Sequence, residues 1–405
     1  MEGVGPRTVT AVDLADLPLA RAVLDRAAEL RADPEVLTRA IADPATRVLV
    51  VGGGELVVGD EGAALLDPAT ARRVAGSGDQ AGDDERWLLL GRDGEGAHGP
   101  LVVARRVARG GPVPRTGQPS DVLVHRAAVR TPGDGPESPS VRSSPAASSG
   151  IPLAVSSGGA DASPATSGSA GSPRSQATAA SSRPPAVSSG GDGEPEPLPG
   201  LRWAHLRDVG ATLSARDAGL ATMAVALDAW HSRHPRCPRC GEPTVPGQGG
   251  WVRICRADGS EHYPRTDPAI IVAVVDDDDR LLLGHNAAWP EGRYSTLAGF
   301  VEAGESAEHA VRREVAEETG VVVDAVEYRG SQPWPFPASL MLAYRGHAAT
   351  TELRVDGVEV TEARWLTRDE LAAAVRAGGL LLPMGSSVAH ALISDWFGAP
   401  LPTAP

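Results

Sequence analysis

A mixed α/β chain of the α+β type is predicted by three stretches of this sequence. Residues 213–231 (LSARDAGLATMAVALDAWH) place apolar residues on one side at helical spacing, and Ser214 and Asp217 suit its first turn. Residues 306–319 contain no helix breaker, with Ser306 placed to cap the start and Gly320 to stop the end. Residues 269–275 (AIIVAVV) are a near-continuous β-branched run, which reads as a strand buried on both faces.

The 405 residues leave room for two or three domains and an ample core. A net charge of −14 argues against an electrostatic nucleic-acid binder, whose footprint would be basic, and every basic residue other than histidine is arginine. Three cysteines, two of them in a CxxC, fit a reducing compartment and a metal site better than a disulfide framework. The N-terminus has no basic-then-apolar signal and no run is long enough to span a bilayer, so a cytoplasmic location without membrane contact is expected.

Residues 1–130 are expected to form a small mixed α+β domain, with a helical pattern over 19–41 and strands at 47–52 (RVLVVG), 87–90 and 101–107. His98 and His125 are isolated and read as ordinary surface or core residues. Residues 131–200 collapse into Ser, Pro, Gly and Ala, cannot bury enough surface to offset their ordering entropy, and are expected to be a disordered insertion. Residues 201–235 return to a helical remainder of the N-terminal region.

Residues 236–264 look like a zinc ribbon. Cys237 and Cys240 form a knuckle in which two thiolates can reach one tetrahedral ion. The second half supplies Cys255, but Asp258 stands three residues later where a cysteine would complete the set. Two readings stay open: zinc held by Cys237, Cys240, Cys255 and Asp258, with His262 a rival fourth ligand, or a ribbon that has lost its metal. Beyond it, four consecutive aspartates at 276–279 read as a solvated turn between the 269–275 strand and RLLLG at 280–284.

The decisive stretch is 299–321, GFVEAGESAEHAVRREVAEETGV. Glu314, Glu317 and Glu318 stand at i, i+3 and i+4, so all three carboxylates share one helical face, where like charges repel by about 0.2–0.5 kcal/mol per pair. They also sit near the negative end of the helix dipole. A divalent cation with oxygen ligands reverses both penalties. Gly299, Glu305 and the string Arg313-Glu314-Val315-Ala316-Glu317-Glu318-Thr319-Gly320-Val321 match the defining positions of the Nudix box, so the chain resembles the Nudix hydrolase superfamily. Ser331 to Ser339, SQPWPFPAS, is similar to the signature of its NADH pyrophosphatase (NAD⁺ diphosphatase) branch. The prolines of that string are expected to make a rigid loop rather than a strand.

The resemblance implies a Nudix α/β/α sandwich with a mixed sheet at 265–398. It implies hydrolysis of the diphosphate of NADH or NAD⁺ to NMN(H) and AMP, with Mg²⁺ or Mn²⁺ held by Glu314, Glu317, Glu318 and Glu359, and Glu318 acting on the attacking water. Phe300 and Tyr263 match positions that stack on the substrate's base from different protomers, implying a homodimer. Ile271, Met341, Ala389 and Gln332 match pocket positions. Arg313 is expected to order the glutamates by salt bridges rather than to touch substrate. The alternatives are cleavage of NAD-capped RNA by the same chemistry and, from another class, a non-catalytic nucleotide-sensing regulator.

Overall fold

A computed structural model describes residues 17–21, 24–76, 83–93, 99–108 and 198–403. Positions 131–197 of the expected insertion, His98 and His125 lie outside the described residues.

Helix is much shorter than expected over 19–41: a 3-10 turn at Ala28–Leu30 and α1 at Val36–Ala42. Pro34 removes a backbone donor and pushes Asp33 away from the helical region. The Asp33 carboxylate instead accepts the Glu35 N–H at 2.9 Å. The first sheet comprises β1 (Arg47–Gly52), β2 (Glu55–Gly59), β3 (Gly62–Ala63), β4 (Leu65–Leu66), β5 (Trp87–Arg92), β6 (Leu101–Arg106) and β7 (Arg202–His205), with α2 (Pro68–Ala75) packed on β1 and β6. Its order is β3-β2-β1-β6-β5, with β4 on β1 and β7 on β2; only β1 and β6 run parallel. Because β7 pairs with β2, the chain on both sides of 109–197 is tied into one sheet.

After α3 (Leu206–Val209), α4 (Ala215–Arg233) begins at Ser214, whose hydroxyl accepts the Asp217 N–H at 3.1 Å. The expected single apolar face is too narrow a description, because α4 is buried around most of its circumference. Small residues such as Ala218, Gly219, Ala221 and Ala224 allow close packing all round, and buried Asp228 pairs with Arg106 of β6 at 2.8 Å. At its end His231 joins the next segment. Its Nε2–H donates to the Gly250 carbonyl at 2.8 Å, and Arg253 donates to Nδ1 at 2.9 Å. Burial, with Arg106 next, lowers His231 to about 3, which keeps the ring in this neutral form.

The ribbon is a three-stranded antiparallel sheet of β8 (Thr244–Gly247), β9 (Val252–Cys255) and β10 (Glu261–His262), ordered β10-β9-β8. The third sheet carries β11 (Asp267–Val275), β12 (Leu281–Asn286), β13 (Leu297–Phe300), β14 (Val323–Trp334), β15 (Ser339–Ala348) and β16 (Val360–Leu366). Its order is β14-β15-β11-β12-β16, with β13 on β11. β11 and β15 run parallel from Asp267↔Ser339 to Val275↔His347, and the other pairs are antiparallel, so the sheet is mixed as expected. α5 (Ala307–Thr319) and α7 (Val388–Phe397) pack against β11 and β15, while α6 (Arg368–Arg376) lies against β16. Residues 269–275 are all buried, which needs cover on both faces. One apolar cluster runs continuously from β1 and α4 into β11, α5 and α7.

The expectation of a loop at 331–339 is half corrected. Ser331 to Trp334 are the end of β14, and only Pro335 to Ala338 turn back into β15. Pro333 is tolerated because β14 is an edge strand, where a missing N–H leaves no ladder partner unsatisfied. The aspartate run does form a turn: Asp276, itself buried, accepts the Asp278 and Arg280 N–H groups at 3.1 and 2.8 Å. Among the described residues, no helix is long and apolar enough to cross a membrane.

Candidate active site

The acidic helix is fixed at both ends by the residues its sequence nominates. Ser306 accepts the His309 N–H at 3.3 Å, and Gly320 takes the left-handed conformation at φ 74° with its N–H on the Ala316 carbonyl. Its three glutamates share a face but not an environment. Glu314 and Glu318 are 1% and 3% exposed, whereas the Glu317 side chain is 54% exposed.

Arg313 organises this face. Its Nε and Nη2 grip Glu305 bidentately at 2.9 and 2.8 Å, and Nη1 donates to Glu314 at 2.8 Å and to Glu317 at 3.2 Å. Nη2 also reaches the Phe300 carbonyl at 3.0 Å, which locks the end of β13 to α5. Arg313 in turn holds the Glu305 carboxyl below its usual range. Gly299 explains itself by contact: a Cβ there would overlap the carboxylate of Glu314.

Glu318 is the outlier. Neither carboxylate oxygen has a hydrogen-bond partner, although the group is buried. Burial first, then the charges of Glu314, Glu359, Asp356 and Glu317, push its pKa well above the ordinary carboxylate value. A buried carboxylate with both oxygens open, among four other acids, is what a divalent cation with oxygen ligands fits. Glu314, Glu317, Glu318 and Glu359 are the residues that would hold it.

The expected pocket residues are drawn together by strand register. Phe300 and Met341 are the two cross-strand partners of Ala269, and Gln332 pairs with Met341. Gln332 is fully buried and donates from Nε2 to the Ser386 carbonyl at 2.7 Å, just ahead of buried Ala389 at the start of α7. Ile271 lies two residues along β11 from Ala269 and is also buried. Tyr263 stands apart: the residue is 62% exposed and its hydroxyl donates to Glu261 at 2.6 Å.

In the ribbon, the ligand atoms of Cys237, Cys240, Cys255 and Asp258 all lie within 4.8 Å of one another. The two halves are built alike. The N–H of Cys237 donates to the Glu242 carbonyl at 2.8 Å, and that of Cys255 donates to the Ser260 carbonyl at 2.9 Å. Gly241 and Gly259, at φ 80° and 69°, return their N–H groups to Cys237 and Cys255. Asp258 therefore occupies the place in the second knuckle that Cys240 occupies in the first. Ser260 donates to Asp258 from both its N–H and its hydroxyl, holding that carboxyl down at about 2. The donor set fits zinc. His262 is outside this group; its Nε2 meets the Ser260 hydroxyl at 3.1 Å.

Sequence reasoning missed Ser260, Ser386 and Asp356 as supporting residues. Only Asp356 left a signal, as half of an Asp-Gly turn beside Glu359.

Residues 265–381, the stretch that holds the acidic, arginine-ordered helix and the mixed sheet, match the NUDIX domain family. Residues 232–263 match the NADH pyrophosphatase zinc ribbon domain, so the chain carries these two domains in tandem. It is 44% identical over 202 residues to the NAD-capped RNA hydrolase NudC of Mycobacterium tuberculosis, covering 47% of this chain and 64% of that protein. It is 40% identical over 196 residues to the NAD-capped RNA hydrolase NUDT12 of Homo sapiens, covering 45% of this chain and 42% of that protein. The match thus spans less than two thirds of the length of either relative. Among solved structures, a NUDIX hydrolase from Nitrosomonas europaea aligns with 42% of this chain and 96% of its own, at 20% identity and a TM-score of 0.31.

Proposed function

We propose that this chain hydrolyses the diphosphate of NADH or NAD⁺ to NMN(H) and AMP, with Mg²⁺ or Mn²⁺ held by Glu314, Glu317, Glu318 and Glu359. The observation that carries this reading is Glu318, buried with both oxygens unpartnered at the disfavoured end of a helix dipole. Bound divalent ions would supply charge neutralisation on the diphosphate oxygens and acidify a water. Glu318 Oε would take the proton of that water as its oxygen attacks phosphorus and the bridging P–O bond breaks. Arg313 keeps Glu314 and Glu317 in place, and Gly299 leaves the room that Glu314 fills. Phe300 would stack the base, with Ile271, Met341, Ala389 and Gln332 shaping the wall. All three box carboxylates are present, which favours an enzyme over a non-catalytic sensor.

The names of the two relatives favour a second reading, NAD-capped RNA as substrate, which offers the same bond beside a much larger leaving group. The net charge of −14 supplies no extended track for RNA. Initial rates on free NADH and on a NAD-capped oligonucleotide, from one preparation, separate the two. We expect kcat/KM on NADH to equal or exceed that on the capped oligonucleotide; a preference of about tenfold for the capped RNA, worth about 1.4 kcal/mol, reverses the assignment.

The exposed Tyr263 ring supports a homodimer in which it covers the base held by Phe300 of a second copy. Sedimentation equilibrium is expected to return twice the mass of one chain, and the mass of a single chain at all working concentrations contradicts it. Three unpaired cysteines are consistent with residence in the cytoplasm.

A further inference from the structure

The loop at 354–360, which leads into β16, is fastened to the C-terminal end of the acidic helix. Arg354 and Asp356 donate their N–H groups to the Thr319 and Glu318 carbonyls at 2.7 and 3.4 Å, satisfying acceptors that a helix C-terminus otherwise leaves open. From the opposite side, the Ala287 N–H donates to the Glu359 carbonyl at 3.0 Å. Gly320 permits this approach, since a Cβ there would stand 3.1 Å from the Arg354 Cβ.

Between those anchors the chain is wound around one side chain. Asp356 accepts the Val358 N–H at 3.3 Å, the Glu359 N–H at 3.1 Å and the Val360 N–H at 2.9 Å. Gly357, at φ 70°, closes the turn with its N–H on the Val360 carbonyl at 3.1 Å. Removing one carboxylate would release three backbone donors and the residue they orient, Glu359.

We infer that Asp356 is a positioning residue for the metal-side carboxylates: by winding the 356–360 turn it holds Glu359 against the C-terminal end of α5, beside Glu318. This rests on the reading of Glu359 as a metal-side group. In this role Asp356 acts through the turn, its carboxylate engaged by the Val358, Glu359 and Val360 N–H groups.

The test is Mn²⁺ affinity of the full chain, read from the free-ion signal by electron paramagnetic resonance well below the melting temperature of each variant. Loss of an outer-shell partner commonly costs about 10- to 100-fold in metal affinity. Glu359→Gln and Asp356→Ala are each expected to weaken Mn²⁺ binding by about tenfold. The double variant is expected to be no weaker than Glu359→Gln alone, because the two act as one unit. Asp356→Asn keeps an acceptor oxygen and should recover most of the affinity. Asp356→Glu keeps the charge but displaces the carboxylate by one methylene and should stay weak; it also serves if the alanine variant does not fold. Parent-like binding by Asp356→Ala or Asp356→Glu overturns the inference. So does an asparagine variant as weak as alanine, or full additivity in the double variant. If Glu359→Gln itself binds Mn²⁺ like the parent, the reading of Glu359 fails first and the inference falls with it.

Discussion

Glu318→Gln is expected to lower kcat for NADH hydrolysis by about 100- to 10,000-fold, the range a general base contributes, while the protein stays folded. The same substitution should have the opposite effect on stability. Burial and four neighbouring carboxylates hold the Glu318 pKa well above the ordinary glutamate range, so the folded chain binds this proton more tightly than the unfolded chain does. Stability from that group is then present at low pH and lost as pH rises from the unfolded value through the folded one. Glutamine removes the loss. In buffer without added Mg²⁺ or Mn²⁺, the variant should melt above the parent at neutral pH, and the gap should close toward pH 4. Added Mn²⁺ should raise the melting temperature of the parent more than that of the variant. Parent-level turnover, or a variant less stable than the parent at neutral pH without divalent ions, goes against this assignment.

Loss of zinc from the ribbon, whose donor set fits that ion, is expected to be the second large effect. Structural zinc contributes about 10–16 kcal/mol of apparent binding free energy in zinc-finger peptides. Part of this ribbon is held by other means: Trp251 donates to the Leu89 carbonyl at 2.8 Å, and Arg253 is tied to Thr244 and His231. The two knuckles rest on their own turn hydrogen bonds and on an exposed Arg256–Glu85 ion pair at 3.5 Å. Burial raises the Cys237 thiol, but the N–H groups of Arg239 and Cys240 and the Ser260 hydroxyl outweigh it and bring the group to about 6, ready to bind as thiolate. Chelation, or Cys255→Ser, is expected to abolish hydrogen-exchange protection of the Cys237 and Cys255 amides while β11 and β15 remain protected. Unchanged protection of both amides after complete chelation would show that packing alone maintains the ribbon.

The acidic helix was legible almost to the residue because local signals mark its boundaries, Ser306 at the start and Gly320 at the end. The β11 run was legible for a related reason: a strand buried on both faces has no polar alternation to obscure it. Long-range effects were not legible. A shared helical face made Glu314, Glu317 and Glu318 look alike, yet two of them are buried and Glu317 is left at the rim. The helical pattern over 19–41 ignored Pro34, and the prolines of 331–339 hid a strand that only its edge position permits. Residues 269, 300 and 341 are far apart in sequence and meet only through pairing register. The Asp258 knuckle was an open question in sequence, and the matching hydrogen bonds at Cys237 and Cys255 give the physical argument for its place.

The most direct test of the central claim is product analysis after incubating the full chain with NADH and Mg²⁺ or Mn²⁺, separated by chromatography and identified by mass. Equal amounts of AMP and NMNH are expected, dependent on the divalent ion and nearly absent with Glu318→Gln. Intact NADH under these conditions, or release of nicotinamide in place of AMP, would contradict the account.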